Sequence, residues 1–133
     1  MPSTRTTHQT DLSVTAAMLV EERVYTTHPG KVGEYLALYE AEGLAVQQRI
    51  LGRLVGYYRA EIGELNQVVH LWAYTDLVER QQRRAALLAD PQFKAYVKKM
   101  LPLRVSLASR ILIPAPFFSP TWPALPEVTP AAT

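Results

Sequence analysis

The chain of 133 residues predicts an α+β protein of ferredoxin-like β-α-β-β-α-β order, with a four-stranded antiparallel sheet and helices on one face. Three observations predict it. Strand-like apolar runs give way to a helical period after Pro29-Gly30, return after Gly52, and repeat that exchange between Asp76 and Pro102. The Gly63-Glu-Leu-Asn66 link between two strand-like runs is short enough to demand a hairpin. The whole pattern has the length of one domain, so one core is expected.

Leu19 to Tyr25 reads as the first strand and stops at His28-Pro29-Gly30, a turn signal. From Lys31 the period changes: Val32, Tyr35, Leu36, Tyr39, Gly43, Val46 and Ile50 recur at three- and four-residue steps, the apolar stripe of one amphipathic helix. Gly43 lowers helix propensity there and suggests close packing. Gly52 ends the helix. Leu54 to Ile62 and Asn66 to Tyr74, rich in Tyr, Val and Ile, follow as an antiparallel pair. Asp76 with Glu79 has the form of a capping box, so a helix opens there and runs to about Ala89. Asp90-Pro91 restarts it with Pro at the first helical position, and Phe93, Tyr96, Val97 and Met100 form its apolar face. Pro102 stops it, and Leu103 to Ile113 is the last strand.

Residues 1–17 carry no periodicity and are expected to be a disordered arm ahead of a domain at 18–113. From Pro114 the prolines at 114, 116, 120, 123, 126 and 130 forbid helix or central strand. Residues 114–133 therefore read as an extended strap or tail, with Phe117, Phe118 and Trp122 as docking points.

Facing follows from alternation. Val69, Leu71 and Ala73 are assigned to the helix layer, and Val68, His70, Trp72 and Tyr74 to the opposite face. A Trp on a free sheet would leave a large apolar area in water, so a second copy of the sheet is expected to cover it, giving a homodimer. Glu22 fits this facing badly, because it points toward the helices.

Composition narrows the function classes. A formal net charge of +2 is too small for a nucleic-acid footprint. The absence of cysteine removes disulfides, thiolate metal sites and thiol nucleophiles. His8, His28 and His70 lack metal-ligand spacing, so no metal is expected, and no phosphate-cradling Gly loop or nucleophile elbow occurs. No apolar run is long enough to cross a bilayer, which makes the cytoplasm the default location.

Several ordered motifs resemble the NIPSNAP family, within the dimeric α+β-barrel superfamily. They are Glu21-x-Arg23-x-Tyr25, Pro29-Gly30-Lys31 with Tyr35, Gly56-Tyr57-Tyr58, Glu61-Ile-Gly63-x-x-Asn66, His70-x-Trp72-x-Tyr74, Arg80 with Arg84, and Arg110-Ile-Leu-Ile-Pro114 leading to Phe118-Ser-Pro120. The resemblance covers roughly Val20 to Pro120 and implies a dimer. Related barrels carry out isomerisation, cyclisation or oxygenation without a cofactor, and some bind haem; no cofactor is expected here.

Candidate site residues follow from parity. His70, in a strand, is the candidate general acid or base, with Arg23 or Tyr25 steadying a developing oxyanion. Glu21, Arg23 and Tyr25 alternate and share one face, joined by Tyr57, Arg59 and Glu61 on the second strand and by Trp72 and Tyr74 on the third. Arg80 and Arg84 lie one helical turn apart, where like charges repel, so an acidic partner is implied. Three readings stay open: a homodimer holding a small organic ligand in a sheet-lined cavity, a cofactor-free enzyme, and a protein-interaction module working through its tail or helices.

Overall fold

The computed structural model describes residues 18–124. The arm at 1–17 and the tail beyond 124, with Pro126 and Pro130, lie outside the described residues. The elements are β1 (Leu19–Thr27), α1 (Val32–Leu38), a π-turn (Tyr39–Gly43), α2 (Leu44–Leu51), β2 (Arg53–Arg59), β3 (Gln67–Tyr74), α3 (Leu77–Ala89), α4 (Pro91–Met100), a 3-10 turn (Leu101–Leu103) and β4 (Arg104–Leu112). The strands form one antiparallel sheet in the order β2-β3-β1-β4. This is the α+β ferredoxin-like architecture expected from the order of elements.

Local chemistry sets the boundaries. The Asp76 carboxylate accepts from the Glu79 N–H at 2.7 Å, while the Glu79 carboxylate reaches back to the Thr75 N–H at 2.7 Å, so the capping box closes one residue earlier than its usual form. Asp90 caps α4 by accepting from the Phe93 N–H at 2.9 Å, with Pro91 at the first helical position. The second strand is shorter than expected, because Gly63 (φ 101°) and Asn66 (φ 64°) turn the chain through the left-handed region and leave Ile62 exposed in the loop. The helix expected from Lys31 to Ile50 is broken by the π-turn, where a Cβ on Gly43 would stand 2.9 Å from Tyr39 and 3.0 Å from Tyr96.

The facing of the sheet corrects the alternation argument. Val68, Trp72 and Tyr74 pack beneath the helices, in one core with Leu19, Tyr25, Tyr35, Tyr39, Val46, Leu51, Leu87, Phe93, Tyr96 and Met100. His70 is buried beside them. The open face instead carries Val20 and Ala73 in a second cluster with Met18, Val55, Leu71 and Leu112. The physical reason is depth: a layer of four helices leaves room for Trp and Tyr, whereas small aliphatics suffice outside. The reversal also places Glu22 sensibly, since it turns away from the helices and accepts from Arg110 Nε at 2.7 Å.

After β4 the chain crosses to the opposite edge of the sheet. Pro120 is buried, and the Trp122 ring lies under the Arg53 guanidinium, 5.8 Å from carbon to centroid. Trp122 thus touches the sheet edge while staying 37% exposed. Phe117 and Phe118 stay exposed. Among the described residues no helix is long and apolar enough to cross a membrane.

Candidate functional site

Strand β1 alternates Leu19, Glu21, Arg23, Tyr25 and Thr27 toward the helices, so a carboxylate and a guanidinium enter a largely apolar layer. Burying them is unfavourable unless each is paired and hydrogen-bonded. Glu21 meets that demand fully. Its Oε2 accepts from Arg23 Nη1 at 2.9 Å, Arg80 Nη2 at 2.9 Å and Ser109 Oγ at 2.5 Å, and its Oε1 accepts from Arg80 Nε at 2.9 Å. Burial alone would raise its pKa, but the bonds from Arg80 and Ser109 and the Arg23 charge bring it down to about 2.

Arg23 spends its Nε on the Tyr25 hydroxyl at 3.2 Å. Arg84, one turn beyond Arg80 on α3, is half-buried and has neither a hydrogen-bond acceptor nor an ion-pair partner among the described residues. Burial and then the neighbouring Arg23 charge depress its pKa, opposed by Glu21 and by Tyr25 and Tyr74. Arg23 and Arg80 thus both pair with one carboxylate, and of the Arg80 and Arg84 pair only Arg80 contacts that acidic partner.

His70 lies opposite Arg23 in the β1–β3 register. Trp72 Nε1 donates to its Nδ1 at 2.7 Å, so the neutral ring carries its proton on Nε2, which is buried without a partner among the described residues. Tyr57 stacks on the imidazole at 4.7 Å and Tyr25 meets it edge-on at 4.8 Å. Burial and the Arg23 charge push its pKa down to about 3, so the ring is neutral at physiological pH. In this setting His70 is a neutral donor. The Tyr74 hydroxyl is likewise buried and unpartnered among the described residues, and burial raises it to about 12.

The structure therefore gathers Glu21, Arg23, Tyr25, His70, Trp72, Tyr74, Arg80 and Arg84 in one region, but between sheet and helices rather than in a cavity on the open face. Tyr57 belongs to its aromatic wall: its hydroxyl bonds that of Tyr35 at 2.9 Å and its ring stacks on Tyr39. Arg59 and Glu61 do not join. They pair with each other at 3.2 Å, exposed at the hairpin end of β2. Two contributors escaped the sequence argument: Ser109 on Glu21, and Arg104 over the Tyr25 ring at 4.8 Å. Parity on the last strand could have signalled Ser109, whereas Arg104 has the opposite parity and shares that face only through the register shift between Thr26 and Thr27. Among the described residues no group of side chains could hold a metal.

A separate cleft of about 360 Å³ opens at the β2 edge, lined by Tyr39, Leu44, Leu54, Val55, Tyr57 and Pro123 among others.

A family model described as NIPSNAP matches residues 20–120. The chain is similar to a NIPSNAP-like domain protein from Burkholderia xenovorans, with 48% identity over 84% of this chain and 97% of that one and a TM-score of 0.77. A NIPSNAP family protein from Agrobacterium tumefaciens shares 44% identity over 75% and 95% of the two chains, with a TM-score of 0.74. The NipSnap homolog of Dictyostelium discoideum is 34% identical over 71% of this chain and 41% of its own length. The chain thus spans about two fifths of that relative, and 18% of the matching protein from Caenorhabditis elegans.

Proposed function

Since the chain belongs to the NIPSNAP family, we propose that it works as a homodimer that binds a small organic anion at Arg84 and Arg80, beside the buried Glu21–Arg23 pair. The observation that carries this reading is Arg84, a half-buried guanidinium without a counter-ion among the described residues, next to a carboxylate that Arg23 and Arg80 already share. Such a charge is unfavourable unless an acceptor arrives, and a carboxylate presents the two oxygens that an arginine fork matches. Ordinary structural ion pairing would have supplied a second acidic residue. His70 and Tyr74 then act as neutral donors beneath the anion and orient it. The depressed pKa of His70 and the bond to its Nδ1 favour this binding role over proton abstraction.

Dimerisation rests on the open face of the sheet. Val24, Val69 and Leu71 remain only partly covered there, and Tyr58 is 62% exposed. A twin sheet is the self-complementary cover for such a surface. The reading takes the protein as cytoplasmic.

The test is thermal denaturation of the wild type and of Arg84→Gln with a panel of small carboxylic acids. Stabilisation that grows with acid concentration in the wild type and vanishes in the variant is the expected result; no shift with any acid sinks the binding claim. Sedimentation should give twice the chain mass for the wild type and the single mass for Leu71→Glu. A monomeric wild type would end the dimer claim.

A further inference from the structure

We infer that the anion is amphipathic, a carboxylate head on an alkyl or aryl body, and that the body lies in a trough between α3 and the helix-side flank of β4. This rests on the anion-binding reading above and extends it to the class of ligand.

The trough follows from register and helix geometry. Leu107, Ser109 and Ile111 on β4 stand opposite Tyr25, Arg23 and Glu21 on β1, so all of them point to the helix side of the sheet. Ser109 confirms that direction by bonding Glu21. Yet Leu107 and Ile111 remain 41% and 40% exposed, because the helices sit over the β1, β3 and β2 side and leave the β4 edge bare.

Helix α3 supplies the facing wall. Its Glu79 and Arg83 lean toward β2 and α2, through Arg53 Nη1 at 2.7 Å from the Glu79 carboxylate and the Ile50 carbonyl at 3.0 Å from Arg83 Nη1. At about 100° per residue, Arg80 and Leu87 come next around the helix and face the sheet, and Leu77, Arg84 and Leu88 follow on the flank turned toward β4. Leu77 and Leu88 are 58% and 56% exposed. Arg84 therefore stands between two exposed leucines on one wall, with Leu107 and Ile111 across from it and the fully buried Glu21 at the floor.

A cation set among bare apolar side chains matches an anion that carries its own apolar body. An inorganic ion or a short acid would leave Leu77, Leu88, Leu107 and Ile111 in water. Two buried methylenes are worth about tenfold in affinity, so chain length should register strongly.

Calorimetry with sodium acetate, sodium octanoate below its micellar limit, and 1-octanol tests this on the full chain. Octanoate should bind at least about tenfold more tightly than either acetate or octanol. Leu107→Ser with Ile111→Ser, at positions already exposed, should reduce the octanoate preference while leaving acetate unchanged, and Arg84→Gln should abolish binding of both acids. Equal affinities for acetate and octanoate, both lost in Arg84→Gln, would overturn the amphipathic inference and leave the anion site standing. A chain-length preference untouched by the β4 substitutions would overturn the trough. Acid binding unaffected by Arg84→Gln would overturn the anion reading itself.

Discussion

Arg80 grips Glu21 as a two-pronged fork, Nε on Oε1 and Nη2 on Oε2, each at 2.9 Å, and so fastens helix α3 to the central strand β1. The carboxylate is fully buried while the guanidinium keeps one edge toward solvent. The fork thus sets the height of α3 above the sheet, and with it the position of Arg84 one turn further on.

Removing the carboxylate should be costly. Glu21→Ala leaves Arg23 buried without its anion, a loss of the kind that costs about 3–5 kcal/mol. Urea denaturation monitored by the buried Trp72 measures it. A loss below about 1 kcal/mol would mean that the pair is not desolvated as described.

Arg84 should behave in the opposite way to Arg80, although the two sit one turn apart on the same helix. Arg80→Gln breaks a satisfied fork and should destabilise the protein by about 2–4 kcal/mol, allowing for its partial exposure. Arg84→Gln removes a cation that has no partner among the described residues and lies beside two others, and should be neutral or stabilising by up to about 1 kcal/mol. Paired denaturation curves decide it. Equal losses in both variants would show that Arg84 carries a structural ion pair.

Acid should lower the protein's stability along two successive limbs. His70 has a folded-state pKa near 3, below its usual value, so between about pH 6.5 and pH 3 the unfolded chain binds a proton that the folded one refuses, and stability falls as pH falls. Glu21 and Glu79 are both held down to about 2. Their contribution is complete above the ordinary carboxylate range and is lost as pH drops from about 4.5 toward 2. The stability curve should therefore slope by about 1.4 kcal/mol per unit below pH 6.5 and steepen below pH 4.5. His70→Gln should flatten the first limb and spare the second; an unchanged first limb would place that titration elsewhere.

The strand order, the helix caps at Asp76 and Asp90 and the company of Glu21, Arg23 and His70 were legible, because each depends on local pattern or on alternation along paired strands. That Arg80 of α3 joins them was not, because the alternation argument set their face away from the helices. Which face that alternation addressed was not legible either. In β3 both Val69-Leu71-Ala73 and Val68-His70-Trp72-Tyr74 are apolar enough to be buried, so alternation alone is symmetric. The discriminating signal lay in β1, where Glu22 opposes Arg110 of β4 and must reach water, which forces Glu21 and its companions inward. The Leu54/Gly56 register shift in β2 and the π-turn left no periodic trace, since each displaces the phase of residues that are apolar on both sides.

That π-turn yields the sharpest packing prediction. Gly→Ala within a helix ordinarily stabilises by about 1 kcal/mol. At Gly43 the φ is −111°, which alanine tolerates, yet the added methyl would meet Tyr39 Cδ1 at 2.9 Å and Tyr96 Cζ at 3.0 Å. Tyr39 is held by its hydroxyl on Gln47 and by stacking on Tyr57, so its ring has little freedom to withdraw. Overpacking of this kind costs about 1–3 kcal/mol. Gly43→Ala should therefore destabilise despite its better helix propensity, and the disturbance should pass through Tyr39 and Tyr57 to the stacked His70. Chemical denaturation together with the histidine ring resonances reads both effects. A stabilised Gly43→Ala with unshifted His70 signals would mean that the tyrosine cluster is slack, and that the imidazole is not pinned from that side.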